Sequence, residues 1–168
     1  STVALCMTTA TDQVIIGTSA GRCVETCAGN VAVGAHAFYN ECAGTYNTVV
    51  GDCAGHTQKG ATTNTFIGAL AGALDSTGSG NVFIGYKAGC ANTTCSCCLV
   101  IGNGTCDLIT GDFNSGYVGI ATTTPQRPLH VSSPDNVGTV AITSSLAATN
   151  CWNGIEFGYT TTRKAGIF

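Results

Sequence analysis

The residues with the most obvious potential for chemistry are the 11 cysteines. The stretch "CSCC" at 95–98 places Cys95 and Cys98 at a C-x-x-C spacing, with Cys90 and Cys106 nearby. Such a cluster indicates a disulfide knot or a thiolate metal site. Zinc sites usually have a second C-x-x-C pair, which this chain lacks, so we favour disulfides over buried thiols or metal, and hence an oxidising location. The candidate disulfide cysteines are Cys6, Cys23, Cys27, Cys42, Cys90, Cys95, Cys97, Cys98 and Cys106.

Seventeen residues separate Cys6 from Cys23, and also His36 from Cys53. If the chain repeats with this period, each pair stacks about 5 Å apart in neighbouring coils, which for the first pair suits a disulfide. Cys23 is alternatively placed to bond Cys27 across one bend. A cysteine nucleophile paired with His36 would need a third group to orient the pair. None is evident, so we interpret His36 and Cys53 as stacked loop residues.

The aspartates do not form a recognisable site either. Asp52, Asp75, Asp107 and Asp112 fall at different positions of the seventeen-residue period, so they form no carboxylate ladder for calcium and no acid/base pair. We therefore predict no enzymatic activity, no cofactor and no metal site.

A seventeen-residue repeat must position all of these side chains. A glycine recurs with this period, a β-branched residue precedes each glycine, and asparagine recurs thirteen residues after the first four. The repeat glycines are Gly17, Gly34, Gly51, Gly68, Gly85, Gly102 and Gly119. The residues before them are Ile16, Val33, Val50, Ile67, Ile84, Ile101 and Val118. The asparagines are Asn30, Asn47, Asn64 and Asn81.

This period predicts an all-β fold, a parallel β-solenoid of about seven coils, where one coil is one seventeen-residue unit. A helix pair or a propeller blade needs about 34 or 40 residues, which is too long for the unit. The β-branched residues favour short strands, and each glycine permits a bend. The asparagines would either pair their amides up the stack or serve as turn residues that tolerate left-handed backbone geometry.

Strand alternation divides the apolar residues between two faces. We expect the residues directly before the repeat glycines to fill the inside of each coil. The residues one position earlier would then point outwards, although nearly all are apolar, and a strand that is apolar on both faces is buried on both. We therefore predict a parallel homotrimer that covers this outer stripe. The candidate interface residues are Ile15, Val49, Phe66, Phe83, Val100 and Tyr117.

Three kinds of stretch resemble known proteins. "NTFIGALAG" at 64–72 and "NVFIGYKAG" at 81–89 resemble repeats of phage and viral fibre proteins and of trimeric autotransporter adhesin heads. "YVGIATTTPQRPLHV" at 117–131 resembles the VGIGTTxPxxxLHV neck of tail-fibre proteins, with Ala121 where the neck usually has glycine. The stretch at 153–168 resembles the opening of a distal fibre domain. The cysteine count is unusual for a phage fibre.

The resemblance and the position of the three prolines imply the domain organisation. Pro125, Pro128 and Pro134 lie within ten residues of one another, and proline cannot donate to a sheet ladder. We expect a repeat shaft at 1–120, a proline-containing neck at 121–134, and the start of a distal β-domain at 135–168.

The implied function is that of a trimeric virion fibre shaft involved in host attachment, located on the virion surface or outside the cell. The alternative is a bacterial or other extracellular surface adhesin or filament subunit. Expected partners are the chain itself, other virion or filament subunits, and a host glycan or receptor that contacts Tyr39, Tyr46 or Tyr86. A net charge of −3 argues against nucleic-acid binding, and the lack of any run of about 18 apolar residues argues against membrane insertion.

Overall fold

A computed structural model describes residues 11–23, 26–41, 43–90 and 93–132. This part of the chain forms one nine-stranded sheet whose strands follow each other in chain order. No helix occurs among these residues, and so none that could span a membrane. The strands are β1 (Val14–Ile16), β2 (Val31–Val33), β3 (Thr48–Val50), β4 (Thr65–Ile67), β5 (Val82–Ile84), β6 (Cys98–Gly102), β7 (Asp107–Asp112), β8 (Tyr117–Ile120) and β9 (Leu129–Val131).

The first six strands pair in parallel at a constant offset of seventeen residues. Val14 pairs with Val31 at the start of this series, and Phe83 pairs with Val100 at its end. The constant offset means that each coil lies directly on the previous one, and about five coils are completed between β1 and β6. The predicted all-β solenoid is therefore confirmed, with about five coils in the part of the chain that the structure describes.

The parallel stacking ends because the chain reverses after β6. β7 pairs antiparallel with β6, and β8 pairs antiparallel with β7, so Gly119 lies beside Thr110 and not above Gly102. Asn103 stabilises the reversal, since its Oδ1 accepts hydrogen bonds from Thr105 Oγ1 at 2.8 Å and from the Cys106 amide at 3.2 Å. Asparagine followed by glycine is a strong hairpin signal.

The proline-containing segment returns to the same sheet. β9 begins directly after Pro128 and pairs in parallel with β8, and the Val118 amide donates to the Pro128 carbonyl at 3.0 Å. The part of the predicted neck that the structure describes, up to Ser132, thus adds a strand to the sheet. The predicted distal domain, Pro134 and the fibre-like stretch at 153–168 lie outside the described residues.

The coil interior is filled by the middle residue of each strand, which is the opposite of the predicted arrangement. Phe66 and Phe83 are fully buried and stack with ring centroids 5.0 Å apart, whereas Ile16 is 59% exposed. Strand alternation correctly predicted which positions share a face, but it did not predict which of the two faces lies inside the coil. The buried middle residues are Ala32, Val49, Phe66, Phe83 and Val100. The predicted core residues that lie on the outer face of β1–β6 are Ile16, Val33, Val50, Ile67, Ile84 and Ile101.

The first and last residues of the predicted core and interface sets need separate description. Ile15 is partly buried against the core and, like the middle residues after it, belongs to the interior. Val118 and Tyr117 lie in β8, outside the parallel coils, so their assignment to a coil core and to a coil interface does not apply. The interface prediction is therefore wrong for the residues that the coils bury.

The repeat glycines of the parallel coils are required by their backbone conformation. Gly34 and Gly51 have φ of 137° and 141°, and a Cβ on Gly34 would lie 2.4 Å from the Gly51 carbonyl oxygen. No L side chain fits at so close an approach to the next coil. The glycine therefore starts the bend and allows the close stacking. Gly102 and Gly119 have no positive φ and lie within strands β6 and β8.

Each coil interior has room for one large side chain. Phe38 has φ of 56°, at a position where Gly72 and Gly89 adopt the same left-handed conformation. A Cβ on Gly72 would lie 2.6 Å from the Phe66 ring. The coil with Phe38 has only Ala32 in the middle of its strand. The large side chain therefore comes from the strand in some coils and from the bend in this one.

Candidate functional site

The predicted asparagine ladder is present and fully buried. The Oδ1 of Asn30, Asn47 and Asn64 accepts a hydrogen bond from the backbone amide of the next asparagine at 2.8, 2.9 and 2.9 Å. Each Nδ2 donates to a carbonyl fourteen residues further along, such as Gly44 at 2.8 Å for Asn30. The links are mainly between side chain and backbone. These amides therefore satisfy buried backbone groups where the chain bends, and the ladder is structural.

A second buried polar column, which the sequence analysis missed, runs beside the asparagines. Glu41, Gln58 and Asp75 are seventeen residues apart and fully buried. Gln58 Oε1 and Asp75 Oδ2 accept hydrogen bonds from the Nδ2 of the asparagine six residues later, at 3.0 and 2.8 Å. The signal was available, since one repeat position has a carboxylate or amide side chain in three consecutive coils.

The carboxylates of this column accept hydrogen bonds from backbone amides and do not face solvent. Glu41 Oε1 accepts three amide hydrogens, from Ala43 at 2.7 Å, Gly44 at 2.5 Å and Gly60 at 2.7 Å. Burial raises the pKa of Asp75 above its usual range, although hydrogen bonds from the Gly78 amide and from Asn81 act in the opposite direction. A reactant has no access to these groups.

One disulfide is formed among the described cysteines, between Cys95 and Cys98, whose Cα atoms are 6.3 Å apart. The C-x-x-C pair is therefore a disulfide and not a thiolate metal site. Against the expectation, the structure gives no disulfide partner to Cys23, Cys90, Cys97 or Cys106 among the described residues. The bond from Cys23 to Cys27 is accordingly not formed, and Cys6, Cys42 and Cys151 lie outside the described residues.

The stacking geometry explains why Cys90 and Cys97 have no disulfide partner among the described residues. In the parallel coils, the neighbour of a side chain is the residue seventeen positions away. For Cys90 and Cys97 the neighbour in the preceding coil is Ala73 and Gly80, respectively. Cys106 is exposed in the connection between β6 and β7.

The one group of potential metal ligands in the described part of the chain is His36, Asp52 and Cys53, at the bends of two neighbouring coils. One ligand atom from each residue lies within 4.8 Å of the other two. His36 and Cys53 both have φ of 53°, and their amides donate to carbonyls of the preceding coil at 2.8 and 2.9 Å. The coil stacking therefore fixes the backbone of both ligands, and Asp52 is a third group beside the pair that the sequence analysis did not identify.

The electrostatics of this group do not favour a nucleophile. Burial raises the pKa of Cys53, and the charge of the Asp52 carboxylate and its hydrogen bond with the thiol raise it further. A reactive cysteine needs a lowered pKa and a base that is itself oriented by a third group. Asp52 instead acts on the thiol. The arrangement lacks the electrostatics of a cysteine nucleophile but has three donor atoms for a cation.

A polar and aromatic stack lies next to this group. Arg22 Nη1 donates to the Tyr39 hydroxyl at 2.7 Å, with its Cζ 5.2 Å from the ring centroid. Tyr39 stacks on His56 at 4.9 Å with an interplanar angle of 4°. The His36 ring lies 5.6 Å from the Tyr39 ring. Of the three tyrosines considered for glycan contact, Tyr39 is thus engaged in a stack, whereas Tyr46 and Tyr86 are exposed.

The outer face of β1–β6 is uncharged and largely apolar along its length, with Thr48 and Thr65 as its polar residues. The two residues that flank the buried middle residue of each strand point outwards, and they form two columns with no charged residue. The first column contains Val14, Val31, Thr48, Thr65, Val82 and Leu99. The second contains Ile16, Val33, Val50, Ile67, Ile84 and Ile101.

No protein-family model, curated protein or solved structure matches this chain.

Proposed function

We propose that this chain is the shaft module of an extracellular or virion fibre that assembles with copies of itself, as a trimer, and takes part in attachment. The observation that supports the proposal is the apolar outer face of β1–β6. Parallel sheets are normally covered on both faces. Here the inner face is covered by the coil itself, and the outer face has β-branched residues in register over six strands.

A second copy of the same face is the partner that best fits this surface. The columns have no charge to match with a partner of opposite charge, and their regular spacing is complementary to an identical column. Closed rotational symmetry would allow several copies to cover their columns around a common axis without leaving one exposed. Such an assembly would transmit force, would hold its two ends at a fixed distance and would perform no chemistry. Receptor contact would then come from the bends, where Tyr46 and Tyr86 are exposed.

Analytical ultracentrifugation of wild type and two charge variants tests the proposal. Ile67 is 41% exposed in the outer column, and Leu74 is exposed in a bend away from it. We expect a wild-type trimer that Ile67→Asp dissociates, because a carboxylate cannot be buried unpaired at an interface. Leu74→Asp, the matched control, should remain a trimer. A monomeric wild type, or an Ile67→Asp variant that stays trimeric, would contradict the proposal.

A further inference from the structure

The group at His36, Asp52 and Cys53 has the donor atoms of a zinc site. It combines an imidazole nitrogen, a carboxylate oxygen and a thiol sulfur, which are the three protein ligand types that zinc uses. Calcium and magnesium prefer oxygen ligands only, so sulfur and nitrogen argue against them. The bound thiolate and carboxylate would together carry two negative charges, which balance a divalent ion.

The spacing of the donor atoms also suits zinc. In tetrahedral zinc sites, bond lengths of about 2.0–2.3 Å place the donor atoms roughly 3.3–3.8 Å apart. The three donor atoms here lie within 4.8 Å of one another. Small side-chain rotations therefore bring them to bonding distance, and the backbone need not move.

The scaffold holds the ligands before any metal binds. His36 and Cys53 occupy the same position of neighbouring coils, so the repeat geometry sets their separation. Their amide hydrogen bonds to Thr18 and Ala35 fix both bends. Asp52 is exposed and His36 and Cys53 are only partly buried, so an ion can enter from solvent. A preformed site of this kind loses little conformational entropy on binding.

We propose that His36, Asp52 and Cys53 bind one zinc ion, with water as the fourth ligand. On binding, the Cys53 thiol releases its proton to solvent and a zinc–sulfur bond forms. The ion would cross-link two coils at the face that also has the Arg22–Tyr39–His56 stack. The site is independent of the outer sheet face and hence of the proposed assembly.

Cobalt and zinc titrations of the full chain, with the Cys95–Cys98 disulfide intact, test the proposal. We expect one equivalent of Co²⁺ to produce the near-ultraviolet thiolate-to-cobalt absorption and the intense visible bands of tetrahedral cobalt. One equivalent of Zn²⁺ should remove both. Absence of the thiolate band at one equivalent would overturn the proposal.

Variants identify the ligands. Loss of second-shell partners alone usually weakens metal binding about 10–100-fold, so we expect at least that loss in calorimetric Zn²⁺ titrations of Cys53→Ser and His36→Gln. The matched controls, Cys106→Ser and His130→Gln, should bind like wild type. Circular dichroism and thermal unfolding of each variant establish that it is folded, and His36→Gln leaves every thiol in place. Wild-type affinity in folded Cys53→Ser or His36→Gln would overturn the proposal.

Discussion

The parallel coils and the antiparallel end of the same sheet bury similar residues to different extents. In the coils, Phe66 and Phe83 are fully buried, and even the carboxylates of Glu41 and Asp75 lie inside. In β7–β9 and their connections, Leu108, Phe113 and Leu129 are exposed. The difference lies in periodicity and not in composition. Repeated coils enclose an interior between strand and bend, whereas the hairpin offers its apolar residues no second layer within the described residues.

The largest effect should come from removing a buried carboxylate from the coils. Glu41→Ala leaves three backbone amides without their acceptor, one of them buried and two partly buried. We expect this to lower the free energy of unfolding by about 3–5 kcal/mol in total. Urea unfolding measures the loss. Glu41→Gln keeps one oxygen acceptor and should lose less. At the antiparallel end, Asp112→Ala removes an exposed carboxylate that accepts one amide at 2.8 Å and should lose least. Equal losses for Glu41→Ala and Asp112→Ala would remove the distinction between the two regions.

A slightly smaller effect should come from the coil interior. Phe38→Gly removes a buried ring at a cost of about 3–5 kcal/mol, offset by about 1–2 kcal/mol because the left-handed conformation no longer carries a side chain. Adding Ala32→Phe should recover most of the loss, since the double variant reproduces the pattern of the Phe66 coil. A double-mutant cycle measures the coupling.

Two outcomes bear on this expectation. Strictly additive effects of Phe38→Gly and Ala32→Phe would show that the two positions do not share one interior space. Phe113→Ala at the antiparallel end serves as the control and should change stability by less than about 0.5 kcal/mol, as is usual at the surface.

The smallest effect should appear in the pH dependence, with opposite signs in the two regions. Burial raises the pKa of Asp75, so the folded chain binds more protons than the unfolded chain between the two pKa values. Its contribution to stability therefore falls as the pH rises through that window. The amide of Asn114 lowers the pKa of Asp112. The contribution of Asp112 to stability is therefore present above the unfolded-state pKa and is lost as the pH falls through the folded-state pKa.

Substituting each aspartate should separate the two contributions. Asp75→Asn should flatten the fall in stability above the usual aspartate pKa, and Asp112→Asn should flatten the rise at lower pH. Urea unfolding midpoints across a pH series measure both slopes. Slopes of the same sign for the two residues would contradict the assignment of burial to one and hydrogen bonding to the other.

The repeat itself could be predicted because its period appears in residue types that differ sharply in physical behaviour. Glycine, asparagine and β-branched residues each have a distinct backbone preference, so their recurrence defined the coil. Which face of the strands lies inside the coil could not be predicted in the same way, because both faces are apolar. Phe38 and Ala32 contained the missing information. In their coil the large residue is in the bend and the small residue is in the middle of the strand, which indicates that the two positions share one interior space.

The end of the solenoid and the third ligand were missed for related reasons. Gly119 falls at the repeat spacing although it lies outside the parallel stack, and the Asn103–Gly104 hairpin signal directly follows the repeat glycine Gly102. Asp52 was missed because only residues at the same repeat position were compared. The left-handed bend at Cys53 brings the preceding side chain to the same site, and this depends on backbone geometry that spacing alone does not reveal.

The hydrogen bonds between coils run along the axis of the stack, and this has a mechanical consequence. A pull on the two ends of the solenoid along that axis loads one coil boundary at a time, so the coils should detach singly. Each detachment releases seventeen residues, or roughly 56–61 Å of extended chain, in place of one coil spacing of about 5 Å. The molecule would then lengthen under tension in equal steps and dissipate energy at each one, as a shock-absorbing tether does.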